Sequence, residues 1–204
     1  HQTMEIFTQI GLSQMEQKEK LGLLDSQLES LHCTPPFTDD LPQKDAVPGK
    51  VRTQDVWFRA MAQMFSTVSP AAFEEFEFQY MKRLAEKCGL VYYGCCEPLD
   101  NFMPVLKKLP NLRKCGVSPW SDVRKMAEEL GGNYVYARKP NPANVGSGFE
   151  EDTVRKEIRE TIEVCMENKC PYEFVLKDIS TVAYRPQNLF RWSQVVQETI
   201  DEYY

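Results

Sequence analysis

Two adjacent cysteines, Cys95 and Cys96, stand in the run Gly89-Leu90-Val91-Tyr92-Tyr93-Gly94-Cys95-Cys96-Glu97-Pro98. Side chains alternate across a strand, so Tyr93, Cys95 and Glu97 share one face while Tyr92 and Cys96 share the other. A thiolate, a phenol and a carboxylate on one face could hold a metal ion, with Cys95 and Glu97 as its ligands, or a polar substrate. The bland alternative makes both cysteines small buried fillers. Lys139 shares a face with Val135, Ala137 and Asn141, which suits an amine that meets an anion, or pairs with Glu97 or Asp178. Asp178 shares a face with Leu176 and Ser180, whereas Lys177 turns away. Charge inside a strand is costly unless paired, so one of these two needs a partner. Cys95, Glu97, Lys139 and Asp178 are therefore the candidate catalytic groups.

A wider set of residues could bind substrate. Tyr93 belongs to the first face. Asp39, with Asp40, could hold a cation or divide acid and base work, although solvated loop carboxylates are the commoner case. Ser118 and Trp120 bracket Pro119, and Trp120 either walls a flat ligand or staples the next helix. Asn141 lies between two prolines and could be a turn residue only. Arg113, Arg138 and Arg185 are the arginines at strand ends. His32 lies in no recognisable ligand spacing; a place near the barrel mouth with Thr34 is the alternative, and packing in the core is its expected role.

These groups need elements to position them. Residues 5–24 read as a helix, 27–34 as a strand, and 35–48 as a polar loop. From Thr53 the spacing of Trp57, Met61, Met64 and Phe65 predicts a helix with a buried stripe. Ser69-Pro70 reads as the cap and first residue of another, running to Lys87. Strands follow at Leu90–Cys95, Leu112–Val117, Tyr134–Ala137 and Tyr172–Ile179. They alternate with helices at Leu99–Lys108, Ser121–Leu130, Glu150–Asn168 and Pro186–Tyr203. Alternation of this kind means βα units with parallel strands. Polar residues at the strand C-termini, and the lack of phosphate-cradling glycine motifs, favour a (β/α)8 TIM-barrel type over a doubly wound sheet. The 204 residues fit one domain, about five βα units of an incomplete barrel.

Composition narrows the function. With 24 basic and 30 acidic residues the formal net charge is -6, which excludes a polybasic nucleic-acid surface. No apolar run approaches the roughly 20 residues of a membrane span. Seven cysteines, an odd number, without an export signal point to free thiols in a cytoplasmic setting. Open sheet edges predict self-association or a missing N-terminal segment.

The Gly89–Pro98 run resembles the strand that carries a His-x-Cys zinc motif in corrinoid-dependent methyltransferases of the uroporphyrinogen decarboxylase superfamily. Val117-Ser118-Pro119-Trp120-Ser121-Asp122 and Lys139-Pro140-Asn141-Pro142-Ala143 resemble the ends of the next two strands. Pro186-Gln187-Asn188-Leu189 is similar to the family's Pro-x-Asn-Leu signature. The resemblance covers essentially the whole chain and implies the C-terminal part of a barrel with its site at the mouth. It implies methyl transfer of a small-molecule substrate, with zinc at the site and cobalamin carried by a corrinoid partner protein. The alternatives are a cofactor-free tetrapyrrole decarboxylase, or a barrel that binds a ligand or partner without chemistry. Departures from the family pattern are specific: Tyr93 stands at the motif's His position, and Asp178-Ile179-Ser180-Thr181 holds no later Cys.

Overall fold

The segment Trp57-Phe58-Arg59-Ala60 opens with two aromatic side chains, a type that packs well on the pleated surface of a strand. A computed structural model, which describes residues 1–26 and 30–204, shows that segment as the first strand, β1 (Trp57–Ala60). The strands that follow are β2 (Leu90–Tyr93), β3 (Leu112–Val117), β4 (Val135–Arg138) and β5 (Tyr172–Phe174). Among the described residues they form one sheet in the order β1-β2-β3-β4-β5, with every neighbouring pair parallel.

Helices supply the connections. α1 (Gln2–Lys20) precedes the sheet. α2 follows β1 as Pro70–Phe73, a π-helical turn Glu74–Phe78, and Gln79–Ala85. Its start is capped as expected, the Ser69 hydroxyl accepting from the Ala72 N–H at 3.2 Å. α3 (Met103–Leu106) and α4 (Val123–Leu130) follow β2 and β3. α5 (Ala143–Gly146) and α6 (Glu151–Glu167) follow β4, and α7 (Gln187–Asp201) follows β5.

One face of the sheet carries the main core. Val91, Tyr93, Cys115, Val117 and Tyr136 pack against Phe73, Phe78, Phe102, Met126 and Leu130 from the helices. A second cluster joins Ile158, Ile162, Trp192 and Val195 of α6 and α7 to Phe174. The opposite face is smaller and more polar. There Leu31 and Cys33 lie on Tyr92, Cys95 and Ala137, with Trp57 beside them.

Two expectations change at the N-terminal end. Residues 27–29 of the expected first strand lie outside the described residues, and Ser30–Thr34 form bends rather than a strand. Among the described residues the strands still number five, because β1 stands in addition to the four expected from residue 90 onward. Trp57, Met61, Met64 and Phe65 are not a buried helical stripe: Met64 is 89% exposed, and Met61 is exposed too. Two short 3-10 turns, Thr53–Asp55 and Gln63–Phe65, flank the strand there. The apolar spacing of three and four arises because a strand and a turn follow each other closely.

Within α2 lies a buried carboxyl. Glu77 sits in the π-helical turn with the Tyr93 hydroxyl 3.5 Å from its Oε2. Burial pushes its pKa up to about 8; the Tyr93 hydrogen bond opposes this and the charge of Glu97 adds to it. The folded chain thus holds a proton that the unfolded chain releases near 4.5. The associated stability is present in full at low pH and is lost as pH rises to about 8. Glu77→Gln removes that dependence. Urea midpoints at about pH 5 and about pH 8 should show the variant gaining on the wild type at the higher pH. Equal gaps at both would mean an ionised Glu77 throughout.

Candidate functional site

β2 ends at Tyr93, and the chain then turns through Gly94, whose φ of +124° suits only glycine. A Cβ on Gly94 would also stand 3.1 Å from the Gly116 backbone of β3. This turn breaks the strand's alternation. Cys95 and Cys96, expected on opposite faces, therefore come to the same place, with their sulfurs 3.6 Å apart.

Lys177 binds both thiols. Its Nζ lies 3.2 Å from Cys95 Sγ and 2.9 Å from Cys96 Sγ, and 3.3 Å from Asp178 Oδ2. Cys96 donates to Asp178 Oδ2 at 3.2 Å. The strand expected over Tyr172–Ile179 stops at Phe174, so Lys177 does not turn away. Asp178 adopts a φ of +59°. His32 on the facing segment also has positive φ, +70°, and its Nε2 lies 3.8 Å from Cys95 Sγ. Two residues in the left-handed region at one cluster mark a place where surrounding contacts fix the backbone. His32 is exposed, not packed in the core as expected.

Behind the thiols lies Lys139, only 1% exposed. Its ammonium donates to the Cys95 carbonyl at 2.9 Å and to the Tyr92 hydroxyl, reaching over Gly116 to do so. A Cβ on Gly116 would meet Lys139 Nζ at 2.7 Å, so the amine occupies the space that glycine leaves. Tyr92 also meets Cys33, its oxygen 3.2 Å from the sulfur.

The electrostatics divide the two thiols. Burial alone would raise the Cys95 pKa, but hydrogen bonds with Lys177 and Cys96 and the charges of Lys177 and Lys139 outweigh it and leave it below the ordinary thiol range. Burial raises Cys96, which the hydrogen bond to Asp178 reinforces and Lys177 opposes. Lys139 is lowered, chiefly by burial. Lys177 is raised: burial works against its charge, and the two thiols overcome it. His32 is lowered by Arg59 first, then by burial and by Lys177 and Lys139.

The remaining expected residues fall elsewhere. Glu97 is buried, but its oxygens accept from the Ala62 N–H at 2.9 Å and the Cys95 N–H at 3.1 Å. It clamps the loop backbone instead of facing a ligand beside the Cys95 sulfur. Tyr93 points to the helical side, its ring edge-on to Phe73 at 6.4 Å. Ser118 is buried against Ser121, and Trp120 is 71% exposed. The Asn141 side chain accepts from the Ala143 N–H at 3.1 Å, which is the turn role. Arg113, at the start of β3, pairs with Asp40 at 2.5 Å; Asp39 and Asp40 thus lie toward the N-terminal end of the sheet, away from the thiols. Arg138 pairs with Glu157 at 2.7 Å, and Arg185 is exposed on the approach to α7.

The cluster therefore contains groups not singled out from the sequence, namely Cys33, Tyr92 and Lys177. The ligating atoms of His32, Cys33 and Cys95 all lie within 4.8 Å of one another. An imidazole and two thiols suit a borderline-soft ion such as zinc, and three protein ligands leave a position open to substrate. The chain is an α/β protein whose five-stranded parallel sheet carries a thiol- and lysine-rich cluster beyond its strand C-termini. No family model, no curated protein and no solved structure matches it. Among the described residues no helix is long and apolar enough to cross a membrane.

If Lys177 lowers the Cys95 pKa, Lys177→Met should move ionisation of that thiol to higher pH. Alkylation by iodoacetamide, located by peptide mass spectrometry across a pH series, reads this directly. An unmoved midpoint would show that another group holds the thiolate.

Proposed function

We propose that this chain is the C-terminal part of a TIM-barrel enzyme of the uroporphyrinogen decarboxylase type, a methyltransferase working with a corrinoid protein. The observation that carries the reading is the convergence of His32, Cys33 and Cys95 beside Lys139 and Lys177, beyond the C-terminal ends of parallel strands. Active sites of such barrels lie at that end. Sequential parallel strands fit a barrel wall, as do pairs meeting across alternate strands, Tyr92 with Lys139 and Lys114 with Glu173.

The metal reading moves from the residues first expected. Tyr93 and Glu97 are engaged elsewhere, and the bends at residues 31–34 supply an imidazole and a second thiol instead. Zinc held by His32, Cys33 and Cys95 would lower the pKa of a substrate thiol and make it nucleophilic at neutral pH. Lys177 stabilises negative charge on the cysteine sulfurs, and Lys139 fixes the loop that carries them. Asp178 accepts a hydrogen bond from Cys96 and holds Lys177 in place. The buried side of the cluster, closed by Leu31, Tyr92 and Ala137, keeps water from its base.

A tetrapyrrole decarboxylase needs several free arginines for the substrate carboxylates. Arg113 and Arg138 are already held by Asp40 and Glu157. This observation favours the methyltransferase.

Purified protein should contain zinc at about one equivalent per chain by elemental analysis. His32→Ala, Cys33→Ser and Cys95→Ser should each lose most of it, whereas Glu97→Gln should keep it. Methyl transfer between free methylcobalamin and a small thiol, followed by the cobalamin spectrum, should fall in the same three variants. Full zinc content in all three would remove the cluster from the reading.

A further inference from the structure

Consecutive residues of an extended chain send their side chains to opposite faces. Cys95 and Cys96 do not, because the strand has ended and Gly94 has turned the backbone. Their sulfurs are 3.6 Å apart, and both lie on one ammonium, Lys177. They differ in access: Cys95 is buried, while Cys96 is half-buried and hydrogen-bonded to the exposed Asp178. Among the described residues the group that could hold a metal takes only Cys95 from this pair and leaves Cys96 out.

We propose that Cys95 and Cys96 are a reversible redox pair, which a low-molecular-weight disulfide closes into a ring between adjacent residues. The more accessible Cys96 meets the small disulfide, losing its proton by way of Asp178 to solvent. Its sulfur bonds to one sulfur of the reagent and expels the other as a thiolate. Cys95 then attacks Cys96 Sγ and expels the second thiolate, which takes up the proton that Cys95 gives away. The two cysteines lose two electrons and two protons, and the reagent is reduced to two thiols. Lys177 stays paired with Asp178 throughout and steadies each departing or attacking sulfur.

Adjacent Cα atoms are about 3.8 Å apart, shorter than the usual span between bridged cysteines. The ring is therefore strained and easily reduced, which is the property of a regulatory disulfide and not of a structural one. Closing it also takes Cys95 out of the set it forms with His32 and Cys33. This consequence rests on the metal reading above, but the disulfide itself does not.

The test uses the metal-free chain equilibrated in mixtures of oxidised and reduced glutathione, then alkylated and digested. The peptide holding both cysteines should lose two hydrogens, carry no glutathione, and recover both thiols with excess reductant. Cys96→Ser should lack that product. A bridge from Cys95 to Cys33, a lasting glutathione adduct on Cys96, or two freely alkylated thiols at every ratio would overturn the proposal. A second arm loads wild type and Cys96→Ser with zinc before oxidation. Loss of zinc from the wild type alone supports control of the metal set, and equal retention in both rejects it. A chain that takes up no zinc before oxidation defeats the metal reading, while the two-hydrogen loss still decides the disulfide.

Discussion

Two lysines on one face of a parallel sheet set the terms for everything around them. Lys114 and Lys139 are almost completely buried, and an ammonium without partners in such a place is strongly destabilising. Each resolves this with bonds that reach beyond its own strand. Lys114 donates to Glu173 of β5 at 2.8 Å, to the Pro35 carbonyl at 2.7 Å and to the Thr34 hydroxyl at 3.1 Å. Lys139 donates to the Cys95 carbonyl and the Tyr92 hydroxyl. The first set pins the 31–35 segment to the sheet, and the second pins the loop after β2. His32, Cys33, Cys95 and Cys96 all sit on those two pieces of backbone. The site is thus positioned by the requirement to satisfy buried charge, with apolar contact from Leu31, Ala137 and Trp57 filling the space between.

This arrangement also explains why neighbouring ionisable groups behave differently. Lys139 lies deep, so desolvation acts on it most and its pKa falls. Lys177 lies at the rim against two sulfurs, whose hydrogen bonds outweigh its partial burial, and its pKa rises. A cation at the rim and a desolvated amine below hold Cys95 as the more acidic thiol. Cys96, turned toward Asp178, keeps its proton. Two chemically identical groups acquire different roles from environments only a few ångströms apart.

Much of the sheet could be read directly from the residues. Leu112–Val117 matches β3 residue for residue, and the Ser69-Pro70 cap is where its chemistry placed it. The alternation of strands and helices from residue 90 onward is as the hydrophobic pattern requires. The site was less legible, and the reason is geometric. Period-two alternation assigns faces only while the strand continues, and both critical strands stop early, at Tyr93 and Phe174. Extending the rule past those ends put Tyr93 with Cys95 and sent Lys177 outward. Gly94 was the available warning, since a glycine inside an apparent strand often marks a break or a close approach. The contribution of residues 31–34 had no local signal, because their bends are held by Lys114 from 80 residues away.

The topology accounts for why chemistry collects at this end of the sheet. Parallel strands in sequential order bring every strand C-terminus to one edge, and each loop leaving that edge starts from a rigid strand. Loop residues such as Cys95 and Lys177 can then meet across strands although 82 positions separate them. The residues of the faces themselves are committed to packing or to paired charge. Groups that have to be reactive, with some exposure and more than one protonation state, are consequently confined to the turns just past the strands. That is where Cys95, Cys96 and the aspartate with positive φ are found, and His32 reaches them from the segment that precedes β1.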